Sequence, residues 1–162
     1  MDKKKPAEAP KEDSVVAYDS KTHGALQVKS VGAQPVDFFD VLQNGKRAFA
    51  GNPKLLNSTL ELAPGAYVVD VNRTQRKVTI EVGKKTILWT GELVVEGKPA
   101  GAYWWPMQGK KRMLVSNPPV INKARALFPG TYTVFVHVSV DTDNKNLGKA
   151  EVTAGRKTVL KH

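Results

Sequence analysis

Short runs of alternating apolar and polar residues occupy the chain from residue 24 to the end, separated by glycine, proline and asparagine. After Pro64-Gly65, for example, Tyr67 and Val69 share one face of an alternating run, as a half-buried strand requires. Asn44-Gly45 stands between two partly apolar runs and is the strongest short hairpin signal. No segment shows a capped 3.6-residue period. The pattern predicts an all-β unit of about six or seven short strands, typical of a small sandwich of the immunoglobulin kind.

One phrase of this pattern is written twice. "LAPGAYVVDV" at residues 62–71 returns as "LFPGTYTVFV" at residues 127–136, an offset of 65. The same offset aligns residues 38–53 with residues 103–118. Because several segments keep their order, we infer an internal duplication. The sequence therefore predicts a tail of residues 1–23, a first repeat of residues 24–90 and a second repeat of residues 91–162, each repeat a small β-sandwich domain.

Each copy of the phrase is expected to build a corner. Proline sets φ and glycine relieves the bend, so the chain can turn into a core strand. The tyrosine two residues later is expected to point its ring inward, with its hydroxyl on a nearby backbone group. These structural residues are Pro64, Gly65 and Tyr67 in the first repeat, and Pro129, Gly130 and Tyr132 in the second. Trp89, at the junction, is expected to pack the repeats together.

The repeated phrases resemble a known family. "LAPGAYVVDV…KVTIEVGKKTIL" and "LFPGTYTVFV…KAEVTAGRKTVL" are similar to PEGA-like and carboxypeptidase-regulatory-like domains, which are transthyretin-like β-sandwiches of bacterial envelope proteins. Where the PEGA signature would stand, the repeats read "APGA" and "FPGT". The resemblance implies a non-catalytic module of a larger surface or envelope protein, outside the cytoplasm. It implies no catalytic residue.

The first 23 residues have a different composition, with Lys, Glu, Pro and Ala but little to bury, and their charges balance. We expect a disordered tether. It lacks the apolar stretch of a signal peptide. Two alternatives follow: the protein is cytoplasmic, or Met1 follows a removed signal or anchor, and the family resemblance favours the second. The sequence contains no run of about 18 apolar residues, so it predicts no transmembrane segment.

Because the tail is neutral, the net charge of +10 belongs to the repeats. A basic fold favours anionic partners, including nucleic acid, lipopolysaccharide, phospholipid surfaces and anionic glycans. Nucleic acid is the least favoured, since the strand aromatics do not follow the pattern of RNA-reading sheets.

No motif predicts catalysis or metal binding. The sequence lacks the spacings of the common hydrolase, zinc-protease and phosphate-binding motifs. Glu92 and Glu96 would lie about 13 Å apart on one face of a strand, too far for a glycosidase pair. The stretch "DTDNKN" at residues 141–146 resembles a calcium loop, but Lys145 and Val152 stand at ligand positions. His137 is interpreted as a surface histidine. We therefore predict a non-enzyme without cofactor or metal.

The aromatic and basic stretch "AYWWPMQGKKR" at residues 102–112 is the most distinctive. Asp40 occupies the place of Trp105 in the first repeat, which indicates that this position faces solvent in at least one copy. An exposed tryptophan beside lysines and an arginine would form an amphipathic platform for sugars, for bases or for a membrane interface. The alternative is that all three aromatics lie in the core or in the joint between the repeats. The candidate binding residues are Trp104, Trp105, Lys110, Lys111 and Arg112, with Lys46 and Arg47 at the matching tip of the first repeat.

Two functions remain open. The first is a structural or protein-interaction module of the bacterial envelope. The second is a binding module for an anionic glycan, peptidoglycan or lipopolysaccharide, using the aromatic and basic residues. Duplication of a scaffold without duplicated chemistry favours the first.

Overall fold

The structure, a computed structural model, describes residues 9–32, 37–113, 118–139 and 143–162 of the 162-residue chain. These residues form sixteen strands and no helix. The chain is therefore all-β, as the alternating pattern predicts. It follows that, in the part of the chain described, no helix is long and apolar enough to span a bilayer.

The strands are short and follow one another closely along the chain. From the tail to the end of the first repeat they are β1 (Ser14–Ala17), β2 (Gly24–Lys29), β3 (Phe38–Gln43), β4 (Lys46–Arg47), β5 (Lys54–Leu55), β6 (Thr59–Leu62), β7 (Gly65–Val71), β8 (Thr74–Ile80) and β9 (Lys84–Trp89). Those of the second repeat are β10 (Gly91–Glu96), β11 (Tyr103–Gln108), β12 (Lys111–Arg112), β13 (Arg125–Leu127), β14 (Gly130–His137), β15 (Lys145–Val152) and β16 (Lys157–Lys161).

The same strands pair in the same sense in both repeats. In the first repeat, β2 is parallel to β9 and antiparallel to β6, and a second sheet has the order β4-β3-β7-β8, with β5 beside β3. In the second repeat, β10 is parallel to β16 and antiparallel to β13, and the other sheet has the order β12-β11-β14-β15. This is the correspondence that duplication of one unit predicts.

A glycine opens the first core strand of each repeat for a steric reason. A Cβ at Gly24 would collide with the carbonyl oxygen of Glu81, and a Cβ at Gly91 would collide with that of Thr153. The backbones approach so closely that only glycine fits at either position.

The two sheets of each repeat face one another across a buried cluster, as in a β-sandwich. Inward residues of both sheets contribute to each cluster. In the first repeat the fully buried members are Leu26, Val28, Phe39, Val41, Val69 and Val71. In the second repeat they include Leu93, Val95, Trp104, Tyr132, Val134 and Val136.

The segment before the first repeat contains a strand, so the prediction of a disordered tether is wrong for its second half. Residues Ser14–Ala17 form β1 and pair antiparallel with the outer edge of β9. Just before it, Asp13 accepts the backbone N–H of Trp89 at 2.8 Å and forms an ion pair with Arg76 at 2.8 Å. The β-branched residues of β1 satisfy backbone groups that an open edge of β9 would leave unpaired. Residues 1–8 lie outside the described part.

Each Pro-Gly phrase forms a tyrosine corner. The buried Tyr67 donates its hydroxyl hydrogen to the carbonyl oxygen of Ala63 at 2.7 Å. The buried Tyr132 donates to the carbonyl oxygen of Phe128 at 2.6 Å. The structure thus places both rings inward and both hydroxyls on the backbone just before the corner, as the sequence predicts. The bond ties the corner to the strand that follows it.

Asp37 lies at the centre of the interface between the repeats. Its side chain comes just before β3 and only 5% of its surface is exposed. Arg125 of the second repeat donates its Nε hydrogen to Oδ1 at 2.7 Å. The backbone N–H of Ala126 donates to Oδ2 at 2.8 Å. Both carboxylate oxygens of the first repeat are therefore hydrogen-bonded by the second.

Strand β13 is shared between the two cores. Ala126 and Phe128 belong to the buried cluster of the first repeat, whereas Leu127 belongs to that of the second. Hydrogen bonds accompany the packing: Asn72 donates to the carbonyl of Ala126 at 2.8 Å, and the N–H of Phe128 donates to the hydroxyl of Thr74 at 2.9 Å. The repeats therefore do not have fully separate interiors.

Trp89 is not a member of this interface core, contrary to the expectation that it packs the repeats together. It is partly buried, it belongs to neither buried cluster, and the amine of Lys29 lies 5.5 Å from its ring centroid. The single residue between β9 and β10, Thr90, is fully buried and donates its hydroxyl hydrogen to the carbonyl of Lys29 at 2.9 Å. Segments distant in sequence, rather than the junction, supply the packing.

Replacement of Tyr132 by Ala should cost about 3–5 kcal/mol of unfolding free energy, because a buried ring is lost. Tyr132→Phe should cost about 1 kcal/mol, because only the bond to Phe128 is lost. The same order is expected at Tyr67. Chemical denaturation measures both effects, and a loss below about 0.5 kcal/mol for either alanine variant would contradict the tyrosine corner.

Tyr132 should also make stability depend on alkaline pH. Burial raises its pKa to about 12, although a hydrogen bond with Thr74 and the charge of Arg76 act to lower the pKa. An unfolded tyrosine ionises near pH 10, so between these two values the unfolded state loses a proton that the folded state keeps. This contribution to stability is present below about pH 10 and is lost as pH rises toward about 12. The difference in unfolding free energy between wild type and Tyr132→Phe should therefore narrow from about pH 9 to about pH 11; a constant difference would contradict it.

Candidate functional site

The two predicted basic tips occupy equivalent positions. In the first repeat, Lys46 pairs with Gln43 and Arg47 with Leu42 across a hairpin whose Asn44 and Gly45 have φ of 51° and 75°. These positive values are those of the predicted type I′ turn. In the second repeat the β11–β12 hairpin gives the same register, with Lys111 opposite Gln108 and Arg112 opposite Met107.

Much of the charge at these tips is already engaged. Arg47 donates to the carboxylate of Asp40 at 2.9 and 2.8 Å and to the carbonyl of Gly51 at 2.9 Å. The hydrogen bonds with Asp40 raise the pKa of the Arg47 guanidinium. Lys111 reaches across the repeat interface and donates to the carbonyl of Arg73 at 3.1 Å. Lys46, Arg47, Lys110 and Lys111 are all exposed, whereas Arg112 is partly buried.

Trp104 is a core residue, so its assignment as a candidate binding residue is wrong. Its exposed fraction is 0%, and its indole N–H donates to the carbonyl of Val120 at 3.1 Å. The alternation along β11 turns it into the sandwich, between the inward positions of the facing strands. Tyr103, the preceding residue, is 45% exposed and is the aromatic ring that β11 presents to solvent.

Trp105 points away from the core, but it is not an exposed platform. The expectation that this tryptophan is open to solvent is therefore wrong. Only 7% of its surface is exposed. Phe135, its register partner on β14, stacks beside it with ring centroids 6.0 Å apart and planes 13° from parallel. The guanidinium carbon of Arg112 lies 4.3 Å from the Trp105 ring centroid. Sequence reasoning missed Phe135, whose signal was an apolar residue at an outward position between the inward Val134 and Val136.

Equivalent arginines in the two repeats have different partners. In the first repeat Arg47 is paired with the carboxylate of Asp40, whereas in the second Arg112 lies over Trp105, which stands in the place of Asp40. In the part of the chain described, Nε of Arg112 is shielded from solvent and has no hydrogen-bond partner. A buried guanidinium nitrogen without an acceptor is costly. Among the described residues, the second repeat thus keeps the arginine and has Trp105 where the first repeat has the carboxylate of Asp40.

Arg112 borders a cleft of about 320 Å³. The described residues that line it are Tyr103, Trp105, Arg112, Pro118, His137 and Asn144, and none of these is acidic. His137, at the end of β14, shares a hydrogen bond of 2.9 Å between its Nδ1 and Oδ1 of Asn144. From the sequence, His137 is interpreted only as a surface residue. The pairing of β11 with β14 places it directly opposite Tyr103.

Glu92 and Glu96, which the sequence rejects as a catalytic pair, have separate partners. Glu92 accepts a hydrogen bond of 3.4 Å from the hydroxyl of Ser30. Glu96 forms an ion pair with Lys161, which lowers the pKa of Glu96. Among the described residues no group of three His, Cys, Asp or Glu side chains could hold a metal ion. Asp141, the first residue of the calcium-like stretch, lies outside the described residues.

Comparison with known proteins identifies no family. No family model matches the chain, and no curated protein matches it. Among solved structures, the Bacillus anthracis TIE protein has a TM-score of 0.35 and 16% sequence identity. The match covers 87% of this chain and 33% of that protein, so the chain spans about a third of its length. The resemblance to PEGA-like domains therefore stays a prediction.

Alanine substitution should distinguish the inward Trp104 from the outward Tyr103 on β11. Trp104→Ala should cost about 3–5 kcal/mol of unfolding free energy because it empties the core, whereas Tyr103→Ala should change stability by no more than about 0.5 kcal/mol. Chemical denaturation of both variants tests the inward and outward positions. Equal losses in the two variants would mean that the strand does not present these faces.

Proposed function

We propose that the chain is a non-catalytic structural and protein-interaction module whose two repeats act as one rigid spacer. The observation that carries this proposal is the buried contact of Asp37 with Arg125 and Ala126. A spacer must hold its two ends in one relative orientation. A buried carboxylate bonded on both oxygens supports a single orientation, because any displacement would leave it buried without partners.

The connection between the repeats supports the same proposal. Only Thr90 stands between β9 and β10, and it is buried and hydrogen-bonded. Flexible linkers between domains are longer and rich in exposed polar residues. With so short a connection and a shared β13, movement of one repeat against the other would break core packing.

Apolar side chains on the surface support an interaction role. Phe38 on β3 and Leu55 on β5 are register partners, and both are about half exposed. Val15 and Val16 on β1 are exposed at the edge of the other sheet. Exposed apolar groups beside one another are common features of protein-binding surfaces. We propose Phe38 and Leu55 as the contact patch for a protein partner.

We place this module in the bacterial cell envelope, outside the cytoplasm. The support is the similarity of the two corner phrases to PEGA-like and carboxypeptidase-regulatory-like domains. The positive charge of the repeats would also suit the anionic polymers of an envelope. A binding role for such a polymer is the second candidate, and two observations favour it: Lys46 and Lys110 are exposed, and Nε of Arg112 has no hydrogen-bond partner among the described residues.

Asp37→Ala tests the rigid spacer. It should cost about 3–5 kcal/mol, because it removes the buried carboxylate that accepts from Arg125 and from the buried N–H of Ala126. Asp40→Ala removes the more exposed pair with Arg47 and should cost less than about 1 kcal/mol, so it serves as the matched control. The chain has no cysteine, so spin labels at Thr79→Cys and Thr131→Cys report the distance between the repeats. We expect a narrow distance distribution in wild type and in the control, and a broad one in Asp37→Ala.

A broad distribution in wild type, or a narrow one in Asp37→Ala, would contradict the spacer.

The interaction role has a separate test, in which the chain is cross-linked to isolated envelope proteins. The double variant Phe38→Ser and Leu55→Ser should abolish the cross-linked product. Val159→Ser, which changes an exposed apolar residue outside the patch, should leave the product unchanged. Equal products from both variants would contradict the proposed patch.

A further inference from the structure

We propose that the cleft beside Arg112 in the second repeat binds the carboxylate of a sugar acid, a hexuronate. The cleft is lined by Tyr103, Trp105, Arg112 and His137, with Pro118 and Asn144. This binding site is separate from the repeat interface and does not depend on the spacer role.

The first repeat shows what group stands beside the equivalent arginine there and is replaced by Trp105 in the second. Arg47 holds a carboxylate through Nε and a terminal nitrogen, at 2.9 and 2.8 Å from the oxygens of Asp40. Arg112 has the same register position on its hairpin, but Trp105 replaces the carboxylate. An external carboxylate is therefore the group that would restore the charge balance that the first repeat satisfies internally.

The guanidinium of Arg112 is held in place before any ligand arrives. It lies over the Trp105 ring at 4.3 Å, and that ring is itself stacked beside Phe135. Its Nε is shielded from solvent, so a ligand in the cleft would contact the terminal nitrogens. A planar guanidinium binds a carboxylate with two parallel hydrogen bonds through such a pair of donors. Because the side chain is already ordered, binding costs little further conformational entropy.

The remaining walls of the cleft favour a carboxylate carried on a hydroxylated ring over a carboxylate without such a ring. Tyr103 presents an exposed aromatic ring, which suits the apolar face of a sugar. Nδ1 of His137 is engaged by Asn144, which leaves the other ring nitrogen for a ligand hydroxyl. With one fixed guanidinium and no acidic residue among the described lining residues, the cleft suits a monoanion better than a dianion such as phosphate.

A second cleft adjoins the first and offers room for a neighbouring sugar. It measures about 370 Å³, and Tyr103 and Pro118 line both clefts. Lys123 lies in its wall. A hexuronate at the end or in the middle of a chain could therefore continue past Tyr103 into a second cation-lined space.

The test is titration of the full chain with sodium glucuronate, followed by tryptophan fluorescence and by amide chemical shifts. We expect shifts at Tyr103, Arg112 and His137. Arg112→Gln should weaken binding by about tenfold or more, because it removes a charge-assisted bidentate contact. Arg47→Gln, the matched change in the first repeat, should leave binding unchanged. Tyr103→Ala, at an exposed position that the core does not require, should also weaken binding and serves if Arg112→Gln does not fold.

Three further probes separate the possible sources of binding. Glucose should not bind, because it lacks the carboxylate, and inorganic phosphate should bind more weakly than glucuronate. Acetyl-aspartate amide carries a carboxylate without a sugar ring and should also bind more weakly. Equal binding of glucose or of acetyl-aspartate amide would overturn the assignment to a sugar acid. No shift at saturating glucuronate, or wild-type affinity in both Arg112→Gln and Tyr103→Ala, would overturn the site.

Discussion

The arrangement of the two repeats depends on one buried carboxylate. Asp37 precedes the first strand of its sheet, yet both of its oxygens are bonded by the second repeat, through Arg125 and the N–H of Ala126. A buried ion pair contributes little net stability when compared with apolar residues of the same shape, but it penalises every arrangement that separates its members. It therefore acts mainly on specificity. It positions β13 so that Ala126 and Phe128 enter the core of the first repeat.

Duplication has produced two copies that agree in the core and differ on the surface. The tyrosine corners and the parallel pair of core strands occur in both repeats. The outward face of the second sheet is different, because one repeat pairs Arg47 with Asp40 and the other places Arg112 on Trp105. A core position must keep its shape and polarity to fill a closed space. An outward position lacks that constraint, so new chemistry can arise there while the fold is retained.

The aromatic stretch of β11 shows why a surface site is harder to predict than a strand. Alternation correctly separates Trp104 from its two neighbours, but it does not say which face is buried or what covers the other. Trp104 is in the core, and Trp105 is covered by Phe135 and Arg112 from strands that pair with β11. Those partners are 30 and 7 residues away in the sequence, with no local signal that links them. Strand β1 was missed for a related reason, since a short polar tail becomes a strand only when an open sheet edge accepts it.

The sequence by itself determined the elements that depend on local chemistry. Alternation of apolar and polar residues predicted the strands, and Asn44-Gly45 predicted its hairpin. The repeated Pro-Gly-x-Tyr phrase predicted both corners. All three signals are local, because turn geometry and side-chain alternation act over a few residues. Only the tertiary structure decided which repeat buries Ala126 and Phe128, that Asp37 rather than Trp89 lies at the interface, and that Arg112 faces a cleft with His137. These outcomes depend on contacts between residues far apart in the chain, where the packing of whole sheets sets which side chains meet.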